Sequence, residues 1–233
     1  MDDVHSNLAA VRERLAAAAR ACGRRPEDVR LIAVSKTFPA DAVRAAYAAG
    51  QRDFGENKVQ EALHKQEATR DLDVRWHLIG HLQSNKARRS ANAFSAIHSI
   101  DSRELLERVD AAAAESHARP DLFLQVDLAG ERTKFGAPES EIGAIARAAI
   151  ACRAARLVGL MLLPPWSEDP EAARPFFRRL RELRDRLVRE GIDAAHLARL
   201  SMGMSHDFEV AIEEGATDVR VGTAIFGKRQ RTA

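Results

Sequence analysis

The sequence is poor in aromatic residues and carries almost no net charge. Phe, Trp and Tyr make up 5% of its 233 residues, and Lys plus Arg number 36 against 34 for Asp plus Glu. A surface that stacks nucleic-acid bases needs aromatic side chains, and a surface that attracts polyanions or anionic membranes needs a strong basic excess. Neither nucleic acid nor a membrane is therefore an expected partner.

Cysteine is also scarce, because Cys22 and Cys152 are the two in the chain and they form no CxxC pair. Free thiols in a reducing compartment are the simpler interpretation, with a disulfide as the alternative. The opening Met-Asp-Asp-Val lacks the apolar core of a signal peptide, and no apolar run approaches the length of a membrane span. We therefore expect a soluble cytoplasmic protein.

Apolar segments with strand character alternate along the chain with amphipathic helices. Eight strands are predicted, over residues 31–35, 53–57, 76–80, 96–100, 122–128, 157–162, 200–203 and 218–226. Alternation of this kind is typical of a parallel sheet, and eight repeats favour an α/β fold that closes into a TIM-like (β/α)₈ barrel. An open doubly wound sheet is the alternative.

One predicted helix, over about residues 6–22, precedes the first strand. Only seven residues follow Phe226, which is too few for a normal eighth helix. We expect the N-terminal helix to complete the outer ring in its place. The prediction is one barrel domain over residues 1–233.

Two glycine-containing segments coincide with the last two predicted strands or their exits: Ser201-Met202-Gly203-Met204-Ser205 and Gly222-Thr223. The loops after strands seven and eight of such barrels commonly hold a phosphate. Glycine lets backbone amides approach an anion, Ser201 and Thr223 offer hydroxyl donors, and Ser205 precedes a predicted helix whose N-terminus favours an anion. A helix cap at Ser205 and simple turns at the glycines are the alternative.

Lys36 follows the apolar run 31–35, so it lies where a buried strand ends. Loss of hydration there lowers the pKa of a lysine amine and lets it attack a carbonyl carbon. The alternative is a lysine whose stem lines the barrel mouth while its ammonium group reaches water. Because strands one and eight are neighbours in a closed barrel, we expect Lys36 to meet the two glycine-containing segments.

Two further polar residues lie on or directly after predicted strands. Asn57 ends strand two, and Arg220 lies within strand eight. A buried guanidinium needs an acceptor, which a ligand atom or the carboxylate of Asp127 could supply.

The histidines do not have the spacing of metal ligands, so no metal site is predicted. His77 is interpreted as structural, and His98 falls on a strand without an evident partner. A basic cluster, formed by Lys86, Arg88 and Arg89, has no assigned role.

Five segments, in order along the chain, serve as motifs that are informative in combination. They are Val34-Ser-Lys36-Thr37, Phe54-Gly-Glu-Asn57 with Gln60-Glu61, residues 76–86, residues 201–208 and residues 219–227. Together they resemble the pyridoxal phosphate homeostasis proteins, which are relatives of the barrel domain of alanine racemase. The resemblance covers nearly the whole chain.

The resemblance implies that Lys36 carries pyridoxal 5′-phosphate (PLP) as a Schiff base. It also implies a cofactor-binding set in which Ser201, Gly222 and Thr223 hold the phosphate with amides around Met202 and Gly203, Arg220 faces the pyridine nitrogen and Asn57 lies near the ring. Two positions depart from the family pattern. Leu78 stands where Phe or Met is frequent, and Phe135 of the segment 134–136 stands where Ser is common. The second departure leaves open how the loop after strand five covers the cofactor.

An arginine beside the pyridine nitrogen disfavours protonation of that nitrogen, so the ring becomes a weaker electron sink. The racemases also use a tyrosine from a second domain of a partner subunit. The chain ends soon after strand eight, so we expect that domain to be absent. The one tyrosine, Tyr47, is predicted on the outside of the barrel.

We therefore predict a monomeric PLP-binding protein that sequesters the cofactor and supplies it to apo-enzymes, without efficient catalysis of its own. A small PLP enzyme such as an amino-acid racemase is one alternative. A barrel that binds a sugar phosphate and uses Lys36 as an aldolase would is another.

Overall fold

The computed structural model describes residues 3–130 and 135–228. Eight parallel strands form the barrel: β1 Arg30–Val34, β2 Asp53–Glu56, β3 Arg75–Leu78, β4 Ala96–Ile100, β5 Asp121–Asp127, β6 Arg156–Leu162, β7 Arg199–Met204 and β8 Asp218–Val221. Each strand pairs with the next, β4 pairs with β5, and β8 pairs with β1, so the ring is closed. The predicted barrel is confirmed, and the open sheet is wrong.

Helices surround the ring: α1 Val4–Ala21, α2 Ala40–Ala48, α3 Val59–Ala68, α4 Ala87–Ala93, α5 Arg103–Glu115, α6 Glu139–Ile150, α7 Arg174–Arg189, α8 Phe208–Glu213 and α9 Thr223–Phe226. Short 3₁₀ segments lie at Pro26–Asp28, Ser84–Lys86, Pro170–Ala173 and Ala194–Leu197, and a two-residue strand, Ala137–Pro138, pairs with the end of β5. Helix α1 contacts α2, α8 and α9, so it completes the outer ring as predicted.

The main hydrophobic core lies between the strands and the helices. On β1, Leu31 and Ala33 belong to this layer because alternate side chains of a strand point to the same face. The helices contribute matching stripes. On α7, Phe177, Leu180 and Leu183 are buried at a spacing of three residues, one side of a 3.6-residue turn.

The predicted eighth strand is too long. Strand β8 ends at Val221, and Thr223–Phe226 turns into α9. Ile225 and Phe226 are buried, and Asn7 of α1 donates a hydrogen bond from Nδ2 to the carbonyl oxygen of Ile225 at 3.1 Å. A short apolar run does not distinguish strand from helix by its periodicity, and packing under α1 decides in favour of the helix.

Two further observations concern the cysteines and the helices. Cys22 and Cys152 are both free thiols. Across residues 3–130 and 135–228, none of the helices is long and apolar enough to cross a membrane.

Candidate functional site

Lys36 lies two residues beyond β1 at the carboxyl end of the barrel, and it is partly buried. The pairing of Ala33 with Val221 places the exits of β1 and β8 side by side. Gly222 is so close to β1 that a Cβ atom on it would stand 3.3 Å from the carbonyl oxygen of Val34. The structure therefore brings the Lys36 segment and the glycine-containing exit of β8 together.

A buried ion pair lies directly under the residue that precedes Lys36. Lys65 of α3 donates from Nζ to the carbonyl oxygen of Ser35 at 2.8 Å and to Oε1 of Glu56 at 2.7 Å. Ser35 Oγ donates to the same carboxylate oxygen at 2.6 Å. Burial raises the pKa of Glu56, and the hydrogen bonds from Lys65 and Ser35 oppose this effect.

The residue after Lys36 is tied to the same cation. The Thr37 amide donates to Oε1 of Glu61 at 2.5 Å, and Lys65 Nζ lies 2.8 Å from that oxygen. Thr37 has φ of +69°, a backbone region that β-branched residues rarely adopt. Strained residues of this kind cluster at functional sites because the surrounding contacts hold them in place.

A serine hydroxyl and two amides meet where the chain leaves β7 and β8. Gly222 and Ala224 donate their backbone N–H groups to Ser205 Oγ at 3.0 and 3.4 Å. Ser205 does not cap α8, because Asp207 occupies the N-cap position. Glycine at 222 also leaves the backbone open beside Val34. Converging amides, a hydroxyl and an unobstructed backbone are groups that fit a phosphate.

The β7 residues predicted to hold the phosphate have other environments. Ser201 is fully buried inside the barrel, and its Oγ contacts Nδ1 of His98 at 2.8 Å and Nη1 of Arg220 at 2.5 Å. Met202 is buried in the layer between strands and helices. Gly203 has φ of +91°, and a Cβ atom there would lie 2.6 Å from that of Ala211 in α8. The geometry thus favours Ser205 over Ser201 as the hydroxyl at the barrel exit.

The remaining predicted residues are at the mouth. Thr223 is exposed at the start of α9. Asn57 follows β2, is partly buried and supports the next loop, since a Cβ atom on Gly80 would lie 2.3 Å from the Asn57 carbonyl oxygen.

Arg220 is buried with only 3% of its surface exposed. Besides its bond to Ser201, it donates from Nη2 to the carbonyl oxygen of Leu162 at 2.9 Å. Asp127, the carboxylate considered as its acceptor, instead accepts the amides of Ala129 and Gly130, so that assignment is wrong. Burial lowers the pKa of Arg220 to about 10, which still leaves the guanidinium charged at neutral pH.

A polar chain crosses the barrel interior behind Arg220. His98 Nε2 lies 3.1 Å from His77 Nδ1, and His77 Nε2 lies 2.9 Å from Asp53 Oδ1. With the contacts of Ser201 described above, the chain continues to Arg220. The expectation that His98 has no partner is therefore wrong. The signal for this chain was present in the sequence, because polar residues interrupt strands that are otherwise apolar.

The loop after β5 is anchored at the barrel rim through Phe135. The Phe135 ring stacks on the His81 ring with centroids 3.7 Å apart, and Gln125 donates from Nε2 to the Phe135 carbonyl oxygen at 2.7 Å. Leu78, the other departure from the family pattern, is the last residue of β3 and is buried in the layer between the strands and the helices. Lys134 lies outside the described residues.

Two other features lie on the outside of the barrel. Tyr47 is in α2, its hydroxyl accepts the amide of Asp73 at 3.4 Å, and Arg52 stacks over its ring. Arg88 and Arg89 line a cavity of about 660 Å³ between α3, α4 and α5.

The barrel carries a lysine beyond its first strand. After its last two strands it carries a hydroxyl–amide cradle, formed by Ser205 Oγ and the amides of Gly222 and Ala224. These features define a protein of the alanine racemase barrel class. The profile described as "Alanine racemase, N-terminal domain" matches residues 6–230.

Three comparisons narrow this class. A curated relative from Aquifex aeolicus is 44% identical over 223 residues, covering 96% of this chain and 97% of its own, and one from Pseudomonas aeruginosa is 45% identical over 229 residues, covering 98% and 97%. Both are named pyridoxal phosphate homeostasis protein. PipY of Synechococcus elongatus, solved with PLP bound, is 41% identical with a TM-score of 0.86, over 96% of this chain and 100% of that chain. The chain therefore belongs to the pyridoxal phosphate homeostasis protein family.

Proposed function

We propose that this protein binds PLP at the barrel mouth through Lys36, keeps it sequestered and supplies it to apo-enzymes in the cytoplasm. The observation that carries the proposal is the structure of PipY with PLP bound, at 41% identity and nearly full coverage. The lysine and the hydroxyl–amide cradle of this chain give a matching set of groups for an aldehyde and a phosphate.

The residues fit the two ends of the cofactor. Ser205 Oγ and the amides of Gly222 and Ala224 are gathered within hydrogen-bonding distance of one another, so they would hold the phosphate. Lys36 stands on the neighbouring strand exit, where its amine would meet the aldehyde. PLP supplies an electrophilic aldehyde that gives a coloured adduct with amines.

Arg220 would face the pyridine nitrogen, and Asn57 would lie near the ring. A guanidinium only donates hydrogen bonds, so a ring nitrogen that meets it must be unprotonated. An unprotonated ring withdraws electrons weakly. Tyr47, the one tyrosine of the chain, is on the outer face and is not a candidate acid or base at the mouth. These features favour storage over efficient catalysis.

Absorption spectroscopy on purified protein tests the binding. Added PLP should give a visible band that borohydride removes, and Lys36→Ala should lack this band. Lys58→Ala is the matched control because Lys58 is an exposed lysine at the start of α3. A colourless wild-type protein that ignores added PLP would contradict the proposal and favour a sugar-phosphate barrel.

Turnover separates storage from the alternative of a small PLP enzyme such as an amino-acid racemase. We expect the coloured protein to show no substantial racemase or decarboxylase turnover across a panel of amino acids, and to pass PLP to an added apo-enzyme. Rapid turnover of any amino acid would overturn the storage proposal while leaving PLP binding intact.

A further inference from the structure

The polar chain behind Arg220 connects opposite ends of the barrel. Asp53 is the first residue of β2, His77 and His98 lie on β3 and β4, Ser201 lies on β7, and Arg220 lies one residue before the end of β8. The interior of such a barrel is usually filled with branched apolar side chains. A continuous line of polar groups in this place is costly unless every member has a partner.

The hydrogen-bond chemistry of its two ends sets a direction for the chain. Arg220 can only donate, so Ser201 Oγ accepts from it. Asp53 is ionised, because hydrogen bonds from His77 and Arg75 outweigh the effect of its burial and hold its pKa well below the usual range. An ionised carboxylate only accepts, so His77 donates from Nε2.

The middle of the chain then has one consistent arrangement. Burial lowers the pKa of His98 well below its usual range, so the ring is neutral and carries one N–H. If that N–H were on Nδ1, Ser201 would have no acceptor for its own hydroxyl proton within the described contacts, and His77 would have to be a cation. With the N–H on Nε2, Ser201 donates to His98, His98 donates to His77, and every proton has an acceptor.

We propose that Asp53, His77, His98 and Ser201 form a one-way hydrogen-bond chain that positions Arg220 against the bound cofactor ring. These four are positioning residues, because they act through Arg220. The proposal rests on the proposed function in so far as Arg220 meets the ring of PLP.

Two anchors on different strands fix the guanidinium plane of Arg220. Its Nη1 is held by Ser201 on β7 and its Nη2 by the Leu162 carbonyl on β6. The remaining N–H groups are left for a ligand at the mouth. The carboxylates of Asp207 and Asp218 attract Arg220 from outside the chain, and the chain itself ends in a further negative charge, on Asp53. A change at Asp53 should therefore alter the ligand environment without touching the ligand.

Nitrogen NMR of the histidine rings tests the direction in ligand-free protein. His77 and His98 should both be neutral with the proton on Nε2 at neutral pH. In Asp53→Asn, the side-chain amide can donate a hydrogen bond to His77 Nε2. We therefore expect the proton of the His77 ring to move to Nδ1. A wild-type protein with the proton on Nδ1 of either ring, or with a doubly protonated ring, would overturn the chain.

PLP affinity and the visible band test the positioning. Asp53→Asn and Ser201→Ala should each weaken PLP binding about tenfold, equivalent to ~1.4 kcal/mol, and shift the band. Ser201→Thr keeps the hydroxyl and should recover both properties. Arg156→Gln removes an ion pair to Asp121, 2.6 Å long, that lies outside the chain at the start of β6, and should leave both unchanged.

The outcomes separate this proposal from the proposed function. If wild-type protein binds PLP and Ser201→Ala binds it equally well with the same band, the positioning is overturned and PLP binding stands. Equal effects of Arg156→Gln and Asp53→Asn would also overturn it, because they would indicate a general loss of stability. If wild-type protein binds no PLP, the proposed function fails. The tautomers of His77 and His98, measured by NMR, then still decide whether the hydrogen-bond chain exists.

Discussion

Lys65 Nζ lies 2.8 Å from the carbonyl oxygen of Ser35, the residue that directly precedes Lys36. The same ammonium group contacts Glu56 and Glu61, and Glu61 holds the residue that follows Lys36. One buried cation therefore fixes the backbone on both sides of the candidate cofactor lysine.

Lys65→Met should lower the free energy of unfolding by about 3 kcal/mol, because it leaves the carboxylate of Glu56 buried without its cation. Urea unfolding measures the change. Adding Glu56→Gln to Lys65→Met removes the uncompensated charge and should restore part of the loss. Lys58→Met, at an exposed position directly before the same helix, is the control. A loss no larger than that of Lys58→Met would show that the ion pair contributes nothing.

Ser205→Ala should weaken binding of PLP about tenfold and leave binding of pyridoxal, which lacks the phosphate, unchanged. The reason is that a hydrogen bond to a charged group contributes roughly 1.5–3 kcal/mol. Spectrophotometric titration with both compounds measures the difference. Ser84→Ala, at an exposed serine, is the control. If Ser201→Ala were the phosphate-specific variant instead, the assignment to Ser205 would be wrong.

Thr37→Gly should unfold at a slightly higher urea concentration than the wild type. Relief of the left-handed backbone is worth about 1–2 kcal/mol, and the added freedom of the unfolded chain offsets roughly 0.5–1 kcal/mol of it. Gln83→Gly is the matched control, because Gln83 has φ of −68° and gains nothing from glycine. Destabilisation of both variants by the same amount would argue against strain at Thr37.

Acid should weaken the barrel partly through Asp53. Its folded-state pKa lies below the ordinary value of 3.8, because hydrogen bonds from His77 and Arg75 outweigh burial. The associated stability is complete above the unfolded-state pKa and is lost as pH falls from there through the folded-state value. Between pH 7 and pH values below about 4, Asp53→Asn should therefore lose less unfolding free energy than the wild type.

The surface pair of Asp71 with Arg44 provides the comparison for acid unfolding, because its carboxylate side chain is 58% exposed. Asp71→Asn should leave the pH dependence close to that of the wild type. If the two variants had the same pH profile, the buried position of Asp53 would not matter.

Much of the fold could be predicted from the sequence because it depends on local periodicity. Alternating apolar strands and amphipathic helices predicted eight repeats and closure, and neighbouring strands then placed Lys36 beside Gly222. The end of β8 was missed because the apolar residues of α9 follow those of the strand after only Gly222 and Thr223, and so short a run does not distinguish strand from helix.

The internal arrangement of the site depended on tertiary register. The pairing of β7 with β8 shifts between Ser201 and Met204. This irregularity, with the left-handed Gly203, decides that Ser205 rather than Ser201 reaches the exit. Likewise, His98 on β4 and Ser201 on β7 are separated by two strands in the sheet, and only the closed ring brings them into one chain of hydrogen bonds.

The contact of Gly222 with Val34 has a consequence for synthesis of the protein. The two sides of the mouth come from opposite ends of the sequence, and they meet only when β8 pairs with β1. A chain emerging from the ribosome thus exposes Lys36 long before the proposed phosphate site, at Ser205, Gly222 and Ala224, can form. If PLP binds between Lys36 and Ser205 as proposed, its capture has to wait for the last strand of the ring.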